Sequence, residues 1–209
     1  MDENEREEHA GFPSEPLTEE SVTDPSDAGT EETRGFDITK ELYDWAQALV
    51  FSISLIVVLF TFFFRIIGVD GASMEPTLYN NDKVVVTNMF YTPKQGDVIV
   101  LLKKSFLDEP LVKRVIATEG QTVDIDFIAH EVRVDGVLLD EPYVKAPISR
   151  PGDIEFPVTV PEGCVFVLGD NRNNSADSRL SKIGMVDERC ILGRVIYRIY
   201  PFDSIGGIK

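Results

Sequence analysis

Residues 45–64 contain no charged side chain, and beyond Arg65 the chain changes to short apolar and β-branched runs separated by turn signals. The first stretch includes Leu49, Val50, Phe51, Ile53, Leu55, Ile56, Val57, Val58, Leu59 and Phe60, so it is apolar on every helical face. As a helix at about 1.5 Å per residue it spans about 30 Å, the hydrocarbon thickness of a bilayer. Tyr43 and Trp45 suit one interface, and Arg65 can reach the other. No other part of the sequence looks able to surround such a helix as a core would. A cleaved leader fits poorly, because the stretch starts late, follows an acidic segment and has a long apolar core. The pattern therefore predicts one retained membrane anchor over residues 37–65.

The second pattern predicts strands at residues 84–87, 98–102, 111–117, 123–128, 131–134, 158–160, 165–168 and 191–199. Asn80-Asn81-Asp82, Gln95-Gly96-Asp97, Pro151-Gly152-Asp153 and Pro161-Glu162-Gly163 punctuate them. Asp135-Gly136, between Val132-Arg133-Val134 and Val137-Leu138-Leu139, is a hairpin signal. No long amphipathic helix follows the anchor. The expected fold class is mainly β, with antiparallel sheets in an irregular barrel or sandwich. Residues 66–209 are enough for one sizeable core, with 118–160 as a candidate inserted subdomain.

Charge adds a third segment. Residues 1–36 carry twelve Asp and Glu against Arg6 and Arg34, with few aliphatic side chains. Such a segment buries too little apolar surface to offset its ordering entropy, so a disordered acidic tail is expected. The net charge of −16 is mostly a property of this tail and argues against nucleic-acid binding, which needs a basic footprint. Arg34 and Lys40 on one side of the anchor and Arg65 on the other leave its orientation open by charge alone.

Candidate chemistry starts from what is scarce. The two histidines are His9, in the tail, and His130, with no serine motif beside it, so a Ser-His-Asp site is disfavoured. Cys164 and Cys190 suit either a disulfide or two packed thiols, and no neighbouring Cys or His completes a ligand set, so neither metal nor cofactor is expected. Gly71-Ala72-Ser73-Met74-Glu75 lacks the second glycine of a nucleophile elbow. A serine hydroxyl still needs a base, and a lysine can serve when burial keeps it neutral. Lys113, inside Leu111-Val112-Lys113-Arg114-Val115-Ile116, is the best candidate. Strand alternation sends Lys113 and Arg114 to opposite faces. The same pattern also fits an edge-strand lysine guarding against aggregation. Residues 169–179, Gly-Asp-Asn-Arg-Asn-Asn-Ser-Ala-Asp-Ser-Arg, read either as a loop orienting a site or as a polar surface loop.

Taken together, these stretches resemble the type I signal peptidases, the Ser/Lys proteases that remove signal peptides from exported proteins. Ser73-Met74-Glu75-Pro76-Thr77-Leu78 is similar to the family's nucleophile box, and Gln95-Gly96-Asp97-Val98-Ile99 to its structural box. Lys113-Arg114-Val115-Ile116 is similar to the general-base box, and residues 169–179 to the last box. The resemblance covers roughly residues 40–205, and a single anchor is similar to Gram-positive members.

The resemblance implies Ser73 as nucleophile, Lys113 as general base and Ser175 as the hydroxyl that orients the amine. It implies Asp177, Arg179 and Arg114 as a supporting ion-pair network. The Ser73 N–H would be one oxyanion donor. Gly71 stands where some members carry a serine hydroxyl, and it would offer backbone geometry instead. The implied partners are preprotein signal peptides and the lipid bilayer, with a cytoplasmic N-terminus and an extracytoplasmic β domain. Phe90-Tyr91 and Tyr200-Pro201-Phe202 suit either the lipid interface or the core. Three other readings stay open on sequence: a pilin-processing specialist, a self-cleaving repressor-type peptidase, and an anchored β domain that binds peptides without cutting them. The apolar stretch argues against the second.

Overall fold

The computed structural model describes residues 38–103 and 107–208. The expected acidic tail lies outside them. Helix α1 runs from Ile38–Phe63. Its window Ile38–Thr61 has a mean hydropathy of 1.8, and none of it is buried against protein. An apolar helix with no protein cover is stable in lipid, where its backbone bonds are satisfied internally. Ser52, Ser54 and Thr61 donate their hydroxyls to carbonyls four residues back, so none leaves a free polar group. The chain divides into two units between Trp45 and Ala46, within this helix.

Strand β1 (Phe64–Gly68) follows the helix directly, so Arg65 belongs to a strand. Then come β2 (Lys83–Thr87), β3 (Val98–Leu101), β4 (Leu111–Ala117), β5 (Thr122–Asp126), β6 (Glu131–Val134) and β7 (Val137–Leu138). They are followed by β8 (Val158–Thr159), β9 (Cys164–Leu168), β10 (Val186–Asp187), β11 (Ile191–Tyr200) and β12 (Gly206–Gly207). The larger sheet has the order β1-β2-β11-β3-β4-β9-β10, with β12 on β11, and the smaller has the order β7-β6-β5-β8. All pairings are antiparallel. The fold is thus mainly antiparallel β with one helix long and apolar enough to span a membrane. The Asp135-Gly136 signal forms the β6–β7 turn, with both residues at positive φ.

Alternation along the strands divides the apolar side chains between packing surfaces. Val98 and Val100 join Met74, Leu78, Val84, Val86 and Val195 in one cluster, whereas Ile99 and Leu101 join Val165, Val167 and Val186 in another. A third cluster joins the two sheets: Phe166, Leu168 and Ile116 meet Val123, Ile125, Val132 and Val134. Cys164 packs with this last cluster and Cys190 with the second, on opposite faces of β9, and both are free thiols.

Phe166 is fully buried and meets Phe156 edge-on at 6.0 Å between ring centroids. Phe166→Ala is expected to cost about 3–5 kcal/mol through the cavity it leaves. Chemical denaturation of the detergent-solubilised protein, followed by tyrosine fluorescence, measures that loss.

Candidate active site

Residues 69–82 form a loop whose shape follows from two apolar anchors. Met74 and Leu78, four positions apart, are both fully buried beneath it. Leu78 N–H donates to Met74 O at 2.9 Å, making one helix-like turn. Buried Asp82 closes the base of the loop, accepting from Tyr79 N–H at 3.0 Å and from Arg198 at 3.1 Å. With Met74 pointing inward, Ser73 is left half-buried at the surface end.

Lys113 comes to this serine from β4. The β4–β9 pairing begins at Arg114↔Leu168, so Lys113 lies one residue beyond it, where β9 turns away at Gly169. Its side chain enters that gap and is 3% exposed. Lys113 Nζ lies 2.8 Å from Ser73 Oγ and donates to Val112 O at 2.8 Å. Burial pushes the amine down to about 8, because the ammonium form loses its hydration, while Asp177 and then Asp170 pull it back upward.

The loop after β9 fixes the serine from the other side. Asn171 N–H donates to Ser73 O at 3.0 Å, and Asn171 Nδ2 donates to Ala72 O at 3.0 Å. Asp170, fully buried, accepts from Arg114 Nε at 2.9 Å, Arg114 Nη2 at 2.7 Å and Thr77 Oγ1 at 2.5 Å. Arg114 therefore holds Asp170, which holds the Ser73 loop through Thr77, and the Tyr143 ring lies 3.9 Å from the guanidinium carbon. Gly169 has no room for a side chain: a Cβ there would stand 2.5 Å from Ser73 O and 2.6 Å from Ser175 Cβ. Exposed Lys145 reaches Glu75 at 2.5 Å, two residues from Ser73.

Asp177 pairs with Arg179 at 2.8 Å, as the sequence suggests, and the carboxylate that pairs with Arg114 is Asp170. Lys113 and Arg114 follow the expected alternation and both are buried, the arginine paired with Asp170. Ser175 Oγ is buried without a hydrogen-bond partner among the described residues, and the bonds of the lysine amine go to Ser73 and Val112. The Gly71 N–H donates to Asn80 Oδ1 at 2.8 Å, so it is engaged rather than free for an oxyanion; Gly71 has φ +86°. The Ser73 N–H has no partner among the described residues. Tyr91, paired with Phe90 in the sequence reading, is half-buried and donates to Asp97 at 2.8 Å. His130 turns its Nδ1 to Ile148 O, 2.7 Å away. Sequence reasoning missed Asp170, Asn171, Thr77 and Asn80 as individual determinants. Their signal was the density of hydrogen-bonding groups in those two turns.

An antiparallel β domain, an apolar N-terminal helix and a serine hydroxyl against a buried amine together define a membrane-anchored serine peptidase. The family profile described as signal peptidase, peptidase S26, matches residues 42–200. Signal peptidase I S of Bacillus subtilis strain 168 is 34% identical over 177 residues, covering 79% of this chain and 93% of its own. Signal peptidase I T of the same organism is 31% identical over 199 residues, covering 90% of this chain and all of its own. A crystal structure of a signal peptidase I from Enterococcus faecalis V583 is 26% identical and aligns with a TM-score of 0.38, over 50% of this chain and 97% of that one. The chain belongs to the signal peptidase family, peptidase S26.

Two substitutions test the clamp on Ser73. Gly169→Ala is expected to lower kcat by about 10²-fold, since a misplacement of about 1 Å has that cost. Asp170→Ala removes the carboxylate that pairs with buried Arg114 through two hydrogen bonds and is expected to lose about 3–5 kcal/mol of stability. Steady-state peptide cleavage reads the first, and denaturant titration the second.

Proposed function

We propose that this protein cleaves signal peptides from exported preproteins, with Ser73 as nucleophile and Lys113 as general base. The observation that carries the reading is the 2.8 Å approach of a buried amine to a half-exposed hydroxyl. Neutral Lys113 accepts the Ser73 proton as Oγ attacks the scissile carbonyl carbon. One N–H of the amine stays on Val112 O, which aims the lone pair at Oγ. The Ser73 N–H donates to the developing oxyanion. As the C–N bond breaks, the Lys113 ammonium returns the proton to the leaving amine. Water then attacks the acyl-enzyme with Lys113 again as base, releasing the signal peptide carboxylate and Ser73. Ser175 Oγ, near Ser73 and without a partner, is the acceptor available to the protonated amine. Asp177 with Arg179, and Arg114 with Asp170, keep the two loops in register.

The layout follows from this chemistry. Residues 1–36 form a cytoplasmic tail, residues 37–65 the anchor, and residues 66–209 the extracytoplasmic catalytic domain, because the cut follows export. An anchored enzyme meets an anchored substrate in two dimensions, with the scissile bond already near the surface. Exposed Phe90, Tyr200 and Phe202 suit contact with the bilayer, and the negative charge disfavours nucleic acid.

Cleavage of a preprotein with an Ala-x-Ala site, located by mass, tests the reading. Ser73→Ala is expected to abolish the cut, and Lys113→Ala to lower kcat by about 10²–10⁴-fold. Lys113→Arg is expected to fail too, because guanidinium keeps its proton. The active lysine is neutral, so kcat/KM is expected to rise with pH, levelling off above about 8. Full activity of Lys113→Arg would contradict the mechanism.

A further inference from the structure

The strand leaving the membrane helix carries a cation for which the peptidase mechanism has no use. Arg65 is exposed and makes no ion pair among the described residues. It stands on β1 opposite Val86, two positions from half-buried Ile67, at the end of the core face of this edge strand. There it borders a cleft of about 320 Å³ shared with Phe63, Asn88, Met89, Phe90 and Leu192. The walls are aromatic and aliphatic, and the polar side chains are one guanidinium and one amide.

The loop between β2 and β3 forms the outer wall and is built against ordinary folding logic. Phe90 is 99% exposed at φ +50°, and Met89 beside it is 54% exposed. An aromatic ring held fully in water in the left-handed region gains nothing from the protein. On the far side of the same loop lies a second cleft, bordered by Lys94, Arg194 and Asp97. Three cations against one carboxylate thus flank the Met89–Phe90 tip, on a chain whose net charge is −16. The location selects the occupant: Phe63 is the last residue of α1, whose uncovered apolar length requires lipid.

We propose that the cleft between Arg65 and Phe90 binds an anionic glycerophospholipid, with its phosphate on the Arg65 guanidinium and Asn88 amide and its upper acyl chains against Phe63, Met89 and Phe90. A guanidinium matches phosphate oxygens in a fixed fork, and an interfacial cation beside apolar walls is the complement of a phospholipid at its glycerol level. The inference deepens the membrane-anchored reading but not the cleavage chemistry, and its test measures lipid rather than proteolysis.

The full-length protein carrying Ser73→Ala is reconstituted in nanodiscs of phosphatidylcholine with equal phosphatidylglycerol. Lipid retained after delipidation in mild detergent is then counted by native mass spectrometry. Preferential retention of phosphatidylglycerol is expected, reduced about fivefold by Arg65→Gln, in line with the weight of one basic residue near a charged bilayer. Phe90→Ser is expected to lower retention of both lipids, and Arg133→Gln, on the smaller sheet and paired with Glu131, to change nothing. Millimolar inorganic phosphate is expected not to displace the lipid. Equal retention of the two lipids, indifference to Arg65→Gln, or displacement by free phosphate would each overturn the proposal. A cleavage-dead wild type with intact lipid selectivity would refute the catalytic reading alone.

Discussion

Everything in the site depends on keeping one amine out of water. A lysine in solvent stays protonated near neutral pH and has no lone pair to offer a hydroxyl. In this fold β4 carries Lys113 to the point where β9 leaves the sheet, and the gap receives the side chain at 3% exposure. Burial lowers its proton affinity, and buried Asp177 and Asp170 restore part of it. The balance near 8 is a compromise. A lower value would make a weaker base, and a higher one would leave too little neutral amine.

That arrangement constrains the rest of the domain. An amine aimed at one hydroxyl requires the serine loop to be immobile, and two kinds of contact provide this. Met74 and Leu78 fasten the loop from below in the apolar core. Asn171 and Asp170 hold it from the side through Ala72, Ser73 and Thr77. Asp170 can be buried only because Arg114 neutralises it with two hydrogen bonds, and Arg114 only because Asp170, Gly96 O and the Tyr143 ring receive it. Adjacent residues on one strand thus divide the work. Lys113 meets Ser73, and Arg114 supports the loop that carries this serine. The smaller sheet contributes through the segment after β7, which supplies Tyr143 and brings Glu141 to Arg172 at 2.6 Å.

The architecture was legible where side chains announce their surroundings. Strands with strong β-branched patterns appear within one or two residues of their expected bounds, as β4 and β6 illustrate. β1 escaped notice because Phe64-Arg65-Ile66-Ile67 reads as the end of an apolar run, and only pairing with β2 makes it a strand. β10 and β12 are two residues long, too short for periodicity to show. At the site, Ser73 and Lys113, which the fold brings within 2.8 Å, stood out by residue type and context. The partner of Arg114 could not, because Asp170 and Asp177 are equally plausible on paper and the choice is made by where β9 ends. Likewise, the engagement of Gly71 by Asn80 depends on loop closure across nine residues.

A buried amine whose proton affinity is lowered would let a serine peptidase work without a histidine base. The most direct measurement is the titration of Lys113 itself in the full-length protein, by the ¹³Cε shift of labelled lysine assigned through Lys113→Arg. The expected midpoint is near 8. A midpoint near 10.5, the value of a lysine in water, would contradict it.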